Sequence, residues 1–390
     1  MKNKLSDKIY SMTNITFEEE MKLLFDMEEK FKYENNISKD RNQKKKKIAI
    51  VYDVDGWAYC NIATEIKRYL SKDFDIDIFP VSVFFDNFIE LILLADRYDL
   101  VHCLWRGLLS SLDYEYARGY IFNMGLTFEE FMENYYNKTN ITTSVYDHKF
   151  LDEENFEITK SFAKYAKNYT VSSTILRDIY NELDIDKKPT AVISDGVDIT
   201  KFKPEKLERF DLENISNRKI KVGWVGNSEF TDSEGDSDLK GVRKIIKPAL
   251  EELIEEGYPI ELKFADRKEG YIPHDKMPDY YNSIDLYVCA SKNEGTPNPV
   301  LESMASGVPV VSTNVGIVRD AFGEKQKNFI LKERTKEDLK AKLVELLEHK
   351  EKFKELSEEN LKQIKDWTWE KKCYQFRDFF NQNMKQGEKI

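Results

Sequence analysis

The feature that most constrains the fold is a long alternation of short apolar segments with helical patterns. It begins at residue 48, where an apolar run is followed by apolar residues that recur with the period of a helix until Leu70. Strands that alternate with helices predict βαβ units and therefore a parallel sheet. The strand candidates of this first part are residues 48–52, 74–78, 100–104, 141–146, 169–172 and 191–194.

The same pattern then starts again. A polar stretch at 210–218 precedes a new apolar segment, 220–225, and further strand candidates follow at 260–264, 286–290 and 308–312. The chain becomes helical from Lys336 and ends in an aromatic-rich helical pattern at 369–380. Two consecutive doubly wound α/β units with a cleft between them are the simplest architecture for this order of elements. We place the first unit at 47–204 and the second at 205–369.

Composition narrows the class of protein. The chain has 390 residues, and 60 Lys and Arg against 71 Asp and Glu leave a net charge of −11, which disfavours a nucleic-acid partner. The hydrophobic fraction of 41% suffices for large cores. No apolar run approaches the ~20 residues of a membrane span, the start lacks a signal-peptide core, and four scattered cysteines lack metal or disulfide spacing. We therefore expect a cytoplasmic protein with buried cysteines.

Residues 1–46 form a polar extension with an amphipathic stretch at 17–31 and a lysine run at 44–47. A charge run ahead of a buried strand is usually a solvated boundary. Two alternatives stay open for this extension, a peripheral contact with the inner face of a membrane and a contact with a partner protein.

The stretch 294–302, which reads Glu-Gly-Thr-Pro-Asn-Pro-Val-Leu-Glu, directly follows a strand candidate. Ligands of open α/β sheets bind at this end of the strands. Asn298 is a good N-cap and Pro299 suits the first helical position, so a helix is predicted to begin there. Its free N–H groups, with those of Gly295 and Thr296, would attract phosphate or sugar hydroxyls.

Glu302 falls one turn inside this helix, on the side that faces the loop with Glu294. Two carboxylates beside an anion-binding helix end suit a ligand with hydroxyls and a diphosphate, such as a nucleotide sugar. The alternative is that Glu302 only complements the helix dipole and Glu294 is a surface residue, but Glu302 lies one position past the capping-box slot.

This stretch resembles the Glu-x7-Glu signature of the retaining nucleotide-sugar glycosyltransferases of family 4 (glycosyl transferases group 1), which have the GT-B fold. The resemblance is dense from about 190 to 320 and thin before that. It continues through residues 193–198, 222–226, 240–241, 277–287 and 312–316. It implies two Rossmann-like doubly wound domains that face each other across a cleft, with a C-terminal helix (about 370–390) that crosses back to the acceptor-side domain.

The resemblance also implies roles for single residues. Glu302 would bond the ribose hydroxyls, Glu294 would lie by the transferred sugar, and Lys240 would neutralise the leaving diphosphate. The candidate donor-binding residues are Gly226, Asn227, Lys240, Arg243, Glu294, Gly295, Thr296, Pro297, Asn298 and Glu302. Cations also recur with helical spacing at 240, 243, 244 and 247, where Pro248 is expected to kink or restart the helix.

Two positions depart from the family pattern. Asn227 stands where relatives usually have an Arg after the glycine, and Arg243 is a candidate substitute. Tyr146 stands in the slot of a His that lies near the transferred sugar, with His148 two residues later. Three explanations are open: His148 takes the role of the missing histidine, another group takes it, or catalysis is impaired. We favour the first two over the third, and His148 is therefore a third catalytic candidate, with Lys240 and Glu294.

The other acceptor-side candidates are Gly56, His102, Trp105 and Tyr146, and Arg106 is expected to line the same side. Gly56 resembles part of the family's glycine-rich acceptor loop. His102 lies on an apolar strand, where a histidine is more often structural. The sequence at 53–55 could be mistaken for a metal-binding motif, but we expect no metal and no cofactor.

The resemblance therefore implies a retaining, metal-independent bacterial glycosyltransferase that moves a sugar, with a UDP-sugar favoured, to a surface-glycan, lipid-linked or protein acceptor. The alternatives are a catalytically silent partner subunit of a transferase complex, a nucleotide-sugar epimerase or a glycosidic phosphorylase.

Overall fold

The computed structural model describes residues 45–84, 88–229 and 238–384. The amphipathic stretch 17–31 and nearly all of the predicted extension lie outside these ranges. Within them, no helix is both long and apolar enough to cross a membrane.

The first part of the chain forms a six-stranded parallel sheet in the order β2-β1-β3-β4-β5-β6. Its strands are β1 Lys47–Tyr52, β2 Asp75–Pro80, β3 Leu100–Cys103, β4 Ile141–Val145, β5 Tyr169–Val171 and β6 Ala191–Val192. Its helices are α1 Ala58–Leu70, α2 Phe88–Ala95, α3 Glu115–Asn123, α4 Phe128–Asn134, α5 Phe156–Tyr165 and α6 Thr174–Glu182. All six predicted strands are confirmed.

The second part forms a four-stranded parallel sheet in the order β10-β9-β7-β8. Its strands are β7 Ile220–Gly226, β8 Ile260–Asp266, β9 Leu286–Cys289 and β10 Val310–Ser312. Its helices are α7 Leu212–Ser216, α8 Lys247–Glu255, α9 Met277–Ser283, α10 Asn298–Ala305, α11 Val318–Ala321, α12 Lys336–Glu348 and α13 Glu351–Gln363. A π-helical turn, Val242–Ile246, precedes α8, so the restart predicted at Pro248 is confirmed.

Strand β1 shows why its sequence is continuously apolar. Successive side chains of a strand point to opposite faces of the sheet. Ala49 and Val51 belong to one hydrophobic cluster, whereas Ile48 and Ile50 belong to another on the opposite face. Both faces are covered, as in other parallel sheets, and the strand has no solvent side that would require polar residues.

The last helix, α14 (Trp369–Asn383), returns to the first domain as expected. Phe376 and Phe380 are fully buried in the cluster that holds Ile48 and Ile50 of β1. Gly196 lies so close to the start of α14 that a Cβ atom there would overlap the backbone of Trp369. The exact domain boundaries stay a prediction.

The two domains meet through the loops at the carboxyl ends of their strands. The side chain of Asp320, on α11, accepts hydrogen bonds from the backbone N–H (3.0 Å) and hydroxyl (2.6 Å) of Thr174 on α6. A Cβ atom on Gly295, which follows β9, would overlap the carbonyl oxygen of Tyr146, which follows β4. The cleft between the sheets is therefore narrow at this level. Cys103 and Cys289 are buried, as expected.

Candidate functional site

The loop–helix junction at 294–302 forms the centre of the site. Helix α10 begins at Asn298, and the residue before it, Pro297, has no side chain that could cap the helix. The prediction of Asn298 as an N-cap is therefore wrong. Its side-chain amide instead donates to Asp195 Oδ2 (3.3 Å), and Thr296 Oγ1 accepts from the Asp195 N–H (3.3 Å). The junction is thus tied to the turn that joins the two domains.

Glu302 lies in the wall of a cavity of about 350 Å³. Its Oε2 atom accepts a hydrogen bond from the Tyr281 hydroxyl (2.7 Å), and His274 Nε2 lies 3.5 Å from its Oε1. The cavity is lined by Val225, Gly226, Asn227, Ala265, Arg267, Tyr271, Ile272, His274, Met277 and Glu302. The Glu302 carboxylate is therefore oriented by neighbouring donors and faces open space.

The cavity contains residues that sequence reasoning missed, among them Arg267, Tyr271 and His274. Arg267 directly follows β8, which pairs with β7, the strand that ends at Gly226. Neighbouring parallel strands bring their carboxyl ends to one edge of the sheet. The position of Arg267 shortly after a predicted strand could therefore have identified it as a candidate for this site. Tyr271 has no strand or motif to mark it, and its ring is 64% exposed.

Arg243, the substitute suggested for the missing arginine, stays a prediction. It is exposed on the π-helical turn and is not among the residues of the cavity wall. Arg267 brings a cation to the cavity instead. Asn227 does line the cavity, and its side-chain oxygen accepts from the backbone N–H of Glu229 (3.1 Å).

Glu294, in the loop that precedes α10, forms an ion pair with Lys240, with 2.5 Å between Nζ and Oε1. Their side chains are 29% and 18% exposed, so the pair is partly withdrawn from water. The backbone at Gly241 has a φ of +72° and packs against Ala290 at the end of β9. Arg334 supports the same loop, since it donates to the carbonyls of Ala290 (2.8 Å) and Asp238 (2.6 Å).

His148 belongs to the loop after β4, and the carbonyl of Tyr146 in the same loop packs against Gly295, the residue next to Glu294. Burial lowers the pKa of His148, whereas the carboxylates of Asp147 and Glu294 act to raise it. The structure thus brings together the three residues proposed as catalytic, His148, Glu294 and Lys240. Tyr146 is different, since its side chain is only 8% exposed and its ring lies 5.6 Å from that of Tyr59. Only the carbonyl of Tyr146 reaches Gly295, so its side chain does not line the acceptor side as expected.

His102 is a structural residue, and its proposed acceptor contact is wrong. It is fully buried between Thr142 Oγ1 and Ser144 Oγ, each 3.0 Å from a ring nitrogen, and burial lowers its pKa to about 3. Phe376 and Phe380 of α14 cover the ring, at 5.8 and 5.2 Å between centroids. A distant segment of the chain therefore closes this position to ligands.

The remaining acceptor-side candidates differ in their exposure to solvent. Gly56 is exposed in the turn after β1, with a φ of +74°. Trp105 is half-buried and its ring lies 6.0 Å from that of Phe150. Arg106 has no exposed surface, so it does not line the acceptor side. Within the described ranges, no group of three or more His, Cys, Asp or Glu side chains is arranged to hold a metal ion.

Comparison with known proteins bears on this site. Residues 268–363, which include the 294–302 junction, match the family model described as glycosyl transferases group 1. A Bacillus subtilis protein named as a teichuronic acid biosynthesis glycosyltransferase, TuaC, is 26% identical over 212 residues, or 50% of this chain and 52% of the relative. The lipopolysaccharide core biosynthesis mannosyltransferase LpsB of Rhizobium meliloti is 30% identical over 158 residues, or 35% and 42%. The chain spans about half the length of the curated relatives it matches.

Solved structures resemble nearly the whole chain. Sucrose-phosphate synthase from Thermosynechococcus elongatus aligns with a TM-score of 0.59 and 13% identity, over 87% of this chain and 99% of that one. HepE of Anabaena, solved in complex with UDP and glucose, aligns with a TM-score of 0.59 and 14% identity, over 86% and 100%. At this identity the likeness shows the fold, and the chain has the GT-B fold that was predicted.

Proposed function

We propose that the chain is a glycosyltransferase that takes its sugar from a nucleotide-sugar donor bound beside α10. The observation that carries this proposal is the position of Glu302 in the cavity wall, on the helix that directly follows the loop with the Lys240–Glu294 pair. A ligand with both hydroxyls and a diphosphate fits a site that contains a carboxylate, a lysine and a helix N-terminus.

Each part of the donor has a matching group. The carboxylate of Glu302 accepts hydrogen bonds and would take the ribose hydroxyls. Lys240 would take the diphosphate, assisted by the uncapped N-terminus of α10, where helical N–H groups carry a partial positive charge. Arg267 and Tyr271 would flank the base, since the Arg267 guanidinium lies 6.0 Å from the centre of the Tyr271 ring.

We extend the proposal to a retaining, metal-independent reaction, for which the resemblance to family 4 is the support. As the bond between sugar and diphosphate breaks, negative charge grows on the diphosphate. Lys240 and the N-terminus of α10 would stabilise this charge, and such fixed groups are often the largest contribution to catalysis. Glu294 and His148 would lie on either side of the transferred sugar.

The acceptor is proposed to be a surface glycan or its lipid- or protein-linked precursor, bound by the first domain. The two relatives described above are named for teichuronic acid biosynthesis and for lipopolysaccharide core biosynthesis, and HepE was solved with UDP, which favours a UDP-sugar donor.

The proposal is tested by thermal unfolding with UDP-glucose, UDP-N-acetylglucosamine, GDP-mannose and ADP-glucose. Binding to the folded state raises the melting temperature, and we expect one of the four to do so. Glu302→Gln should remove most of this shift. Glu348→Gln is a matched control, because Glu348 also accepts from a tyrosine hydroxyl, that of Tyr258 (3.1 Å), but does not line the cavity. A shift that survives in Glu302→Gln would contradict the ribose assignment.

Turnover measurements then distinguish a transferase from a silent partner subunit and from an epimerase. A transferase releases nucleoside diphosphate from the bound donor, slowly with water and faster with an acceptor. A silent partner subunit would bind a nucleotide sugar without releasing any product. An epimerase would convert the donor alone to its epimer and release no diphosphate. Either of these two results would overturn the proposed reaction.

A further inference from the structure

Arg106 contacts the residues on both sides of His148. Its Nη2 atom donates to Asp147 Oδ1 (2.5 Å) and to the carbonyl oxygen of Lys149 (2.9 Å). Its guanidinium also lies over the ring of Phe150, 5.2 Å from the centroid. One buried cation therefore holds the loop 147–150 by a side chain, a backbone carbonyl and an aromatic ring.

This loop has a conformation that it would not adopt alone. Phe150 has a φ of +65°, in the left-handed region that a bulky L-residue avoids. Such backbone persists where its surroundings determine it, and it is concentrated at functional sites. The surroundings here are Arg106, a bond from the Lys149 N–H to Asp147 Oδ1 (3.0 Å), and a bond from Thr159 Oγ1 to the Phe150 carbonyl (2.7 Å).

Stability alone does not explain an arginine at this position. The Nε and Nη1 atoms of Arg106 are buried and make no hydrogen bond of good geometry among the described residues, although the Tyr180 hydroxyl lies close to the guanidinium. Buried donors without acceptors are unfavourable, and replacing a buried ion pair by apolar residues is often neutral or stabilising. The rings of Phe150 and Phe162 cover the guanidinium, but an apolar side chain could fill the same space. What Arg106 does and an apolar residue could not do is fix the loop.

The loop decides where the imidazole of His148 points. His148 follows the end of β4 by three residues, in a loop whose Tyr146 carbonyl packs against Gly295, the neighbour of Glu294. We propose that Arg106 is a positioning residue, which acts through the loop 147–150 to hold His148 against the sugar end of the donor site. The inference rests on the proposed function, because it assumes that this cleft turns over a nucleotide sugar.

The test is a double-mutant cycle with Arg106→Lys and His148→Gln, assayed as release of nucleoside diphosphate from whichever of the four nucleotide sugars binds. Lysine keeps the charge but cannot contact Asp147 and Lys149 in the same geometry. Each single variant should reduce kcat by about tenfold or more, because small displacements of a reacting group are costly. The double variant should be no slower than His148→Gln, since Arg106 acts only through His148. The thermal shift with the nucleoside diphosphate should not change in any of the three.

Arg218→Lys is the matched control. Arg218 pairs with the buried Asp285 (2.5 and 2.8 Å) and donates to the carbonyl of Arg209 (3.1 Å), but it lies away from the cleft residues. It should lower the melting temperature and leave kcat of the folded enzyme unchanged. Reductions that multiply in the double variant, or a normal kcat in Arg106→Lys, would overturn the proposal.

A second measurement does not depend on turnover. The chain has only four histidines, so their ring C–H signals can be assigned by NMR from single substitutions. Arg106→Lys should move the signal and titration of His148 and leave those of His102, His274 and His349 in place. An unchanged His148 signal would refute the positioning role. Failure of the wild-type protein to bind any nucleotide sugar would refute the proposed function instead, and the two results are therefore distinguishable.

Discussion

Asp195 offers a test of the buried electrostatics at the junction between the domains. Its side chain is 5% exposed, and its Oδ1 atom has no hydrogen-bond partner among the described residues. Burial raises the pKa of this carboxyl from 3.8 to about 7, although the Asn298 amide and the charge of Lys372 act against that rise. The charged form is therefore destabilised in the folded protein. Asp195→Asn keeps the shape and the acceptor for Asn298 while removing the charge.

The magnitude follows from the difference between the folded and unfolded pKa of Asp195. Below pH 3.8 the group is protonated in both states and costs nothing. As the pH rises from 3.8 to 7, the unfolded state ionises and the folded state does not, so folding stability falls across this window. Above pH 7 the whole cost is present, about 4 kcal/mol for a shift of about three pH units. Asp195→Asn should increase the free energy of unfolding at pH 8 by up to this amount. The gain is reduced because the substitution also removes a negative charge that stabilises the charged form of Lys372 and acts to raise its pKa.

The assay is urea unfolding of wild type and Asp195→Asn at pH 4 and at pH 8. We expect a small stabilisation at pH 4 and one of about 2–4 kcal/mol at pH 8. Asp198→Asn is the control from the same turn. Hydrogen bonds from the Thr200 hydroxyl and from the backbone N–H groups of Thr200 and Lys201 outweigh burial and lower the pKa of Asp198, so its substitution should destabilise the protein at pH 8 and less so at pH 4. Equal effects of Asp195→Asn at both pH values, or destabilisation at pH 8, would refute the reasoning.

Three further predictions concern contacts between segments. Gly295→Ala should weaken the nucleotide thermal shift and reduce turnover by ~100-fold, because its Cβ would push the proposed donor-binding loop away from the Tyr146 carbonyl; normal turnover would contradict this. Asp320→Ala should cost about 1 kcal/mol and speed hydrogen exchange at the start of α6, where it accepts from Thr174; unchanged exchange would count against it. Phe376→Ala should cost about 3–5 kcal/mol in urea unfolding, since the ring is fully buried; a loss below 1 kcal/mol would show that α14 is not part of the core.

Much of the fold could be predicted from the sequence because the signals are local. Each strand follows from an apolar run bounded by turns, and the restart of helix α8 follows from Pro248, which lacks the N–H that a helix interior requires. The position of Glu302 inside the first turns of α10 also follows from the helical period and the strand before it. The start of α10 was predicted one residue too late, since Asn298 is the first helical residue and contacts Asp195 instead of capping the helix.

The sequence by itself determined where the strands, the helices and the two acids of the proposed donor site lie along the chain, since these depend on neighbouring residues. Only the tertiary structure decided which side chains meet. Lys240 and Glu294 pair across 54 positions of sequence, and α14 covers His102 from the far end of the chain. Arg106, which was expected to line the acceptor side, is fully buried. Burial and charge partners are set by packing between distant segments, and no local pattern contains that information.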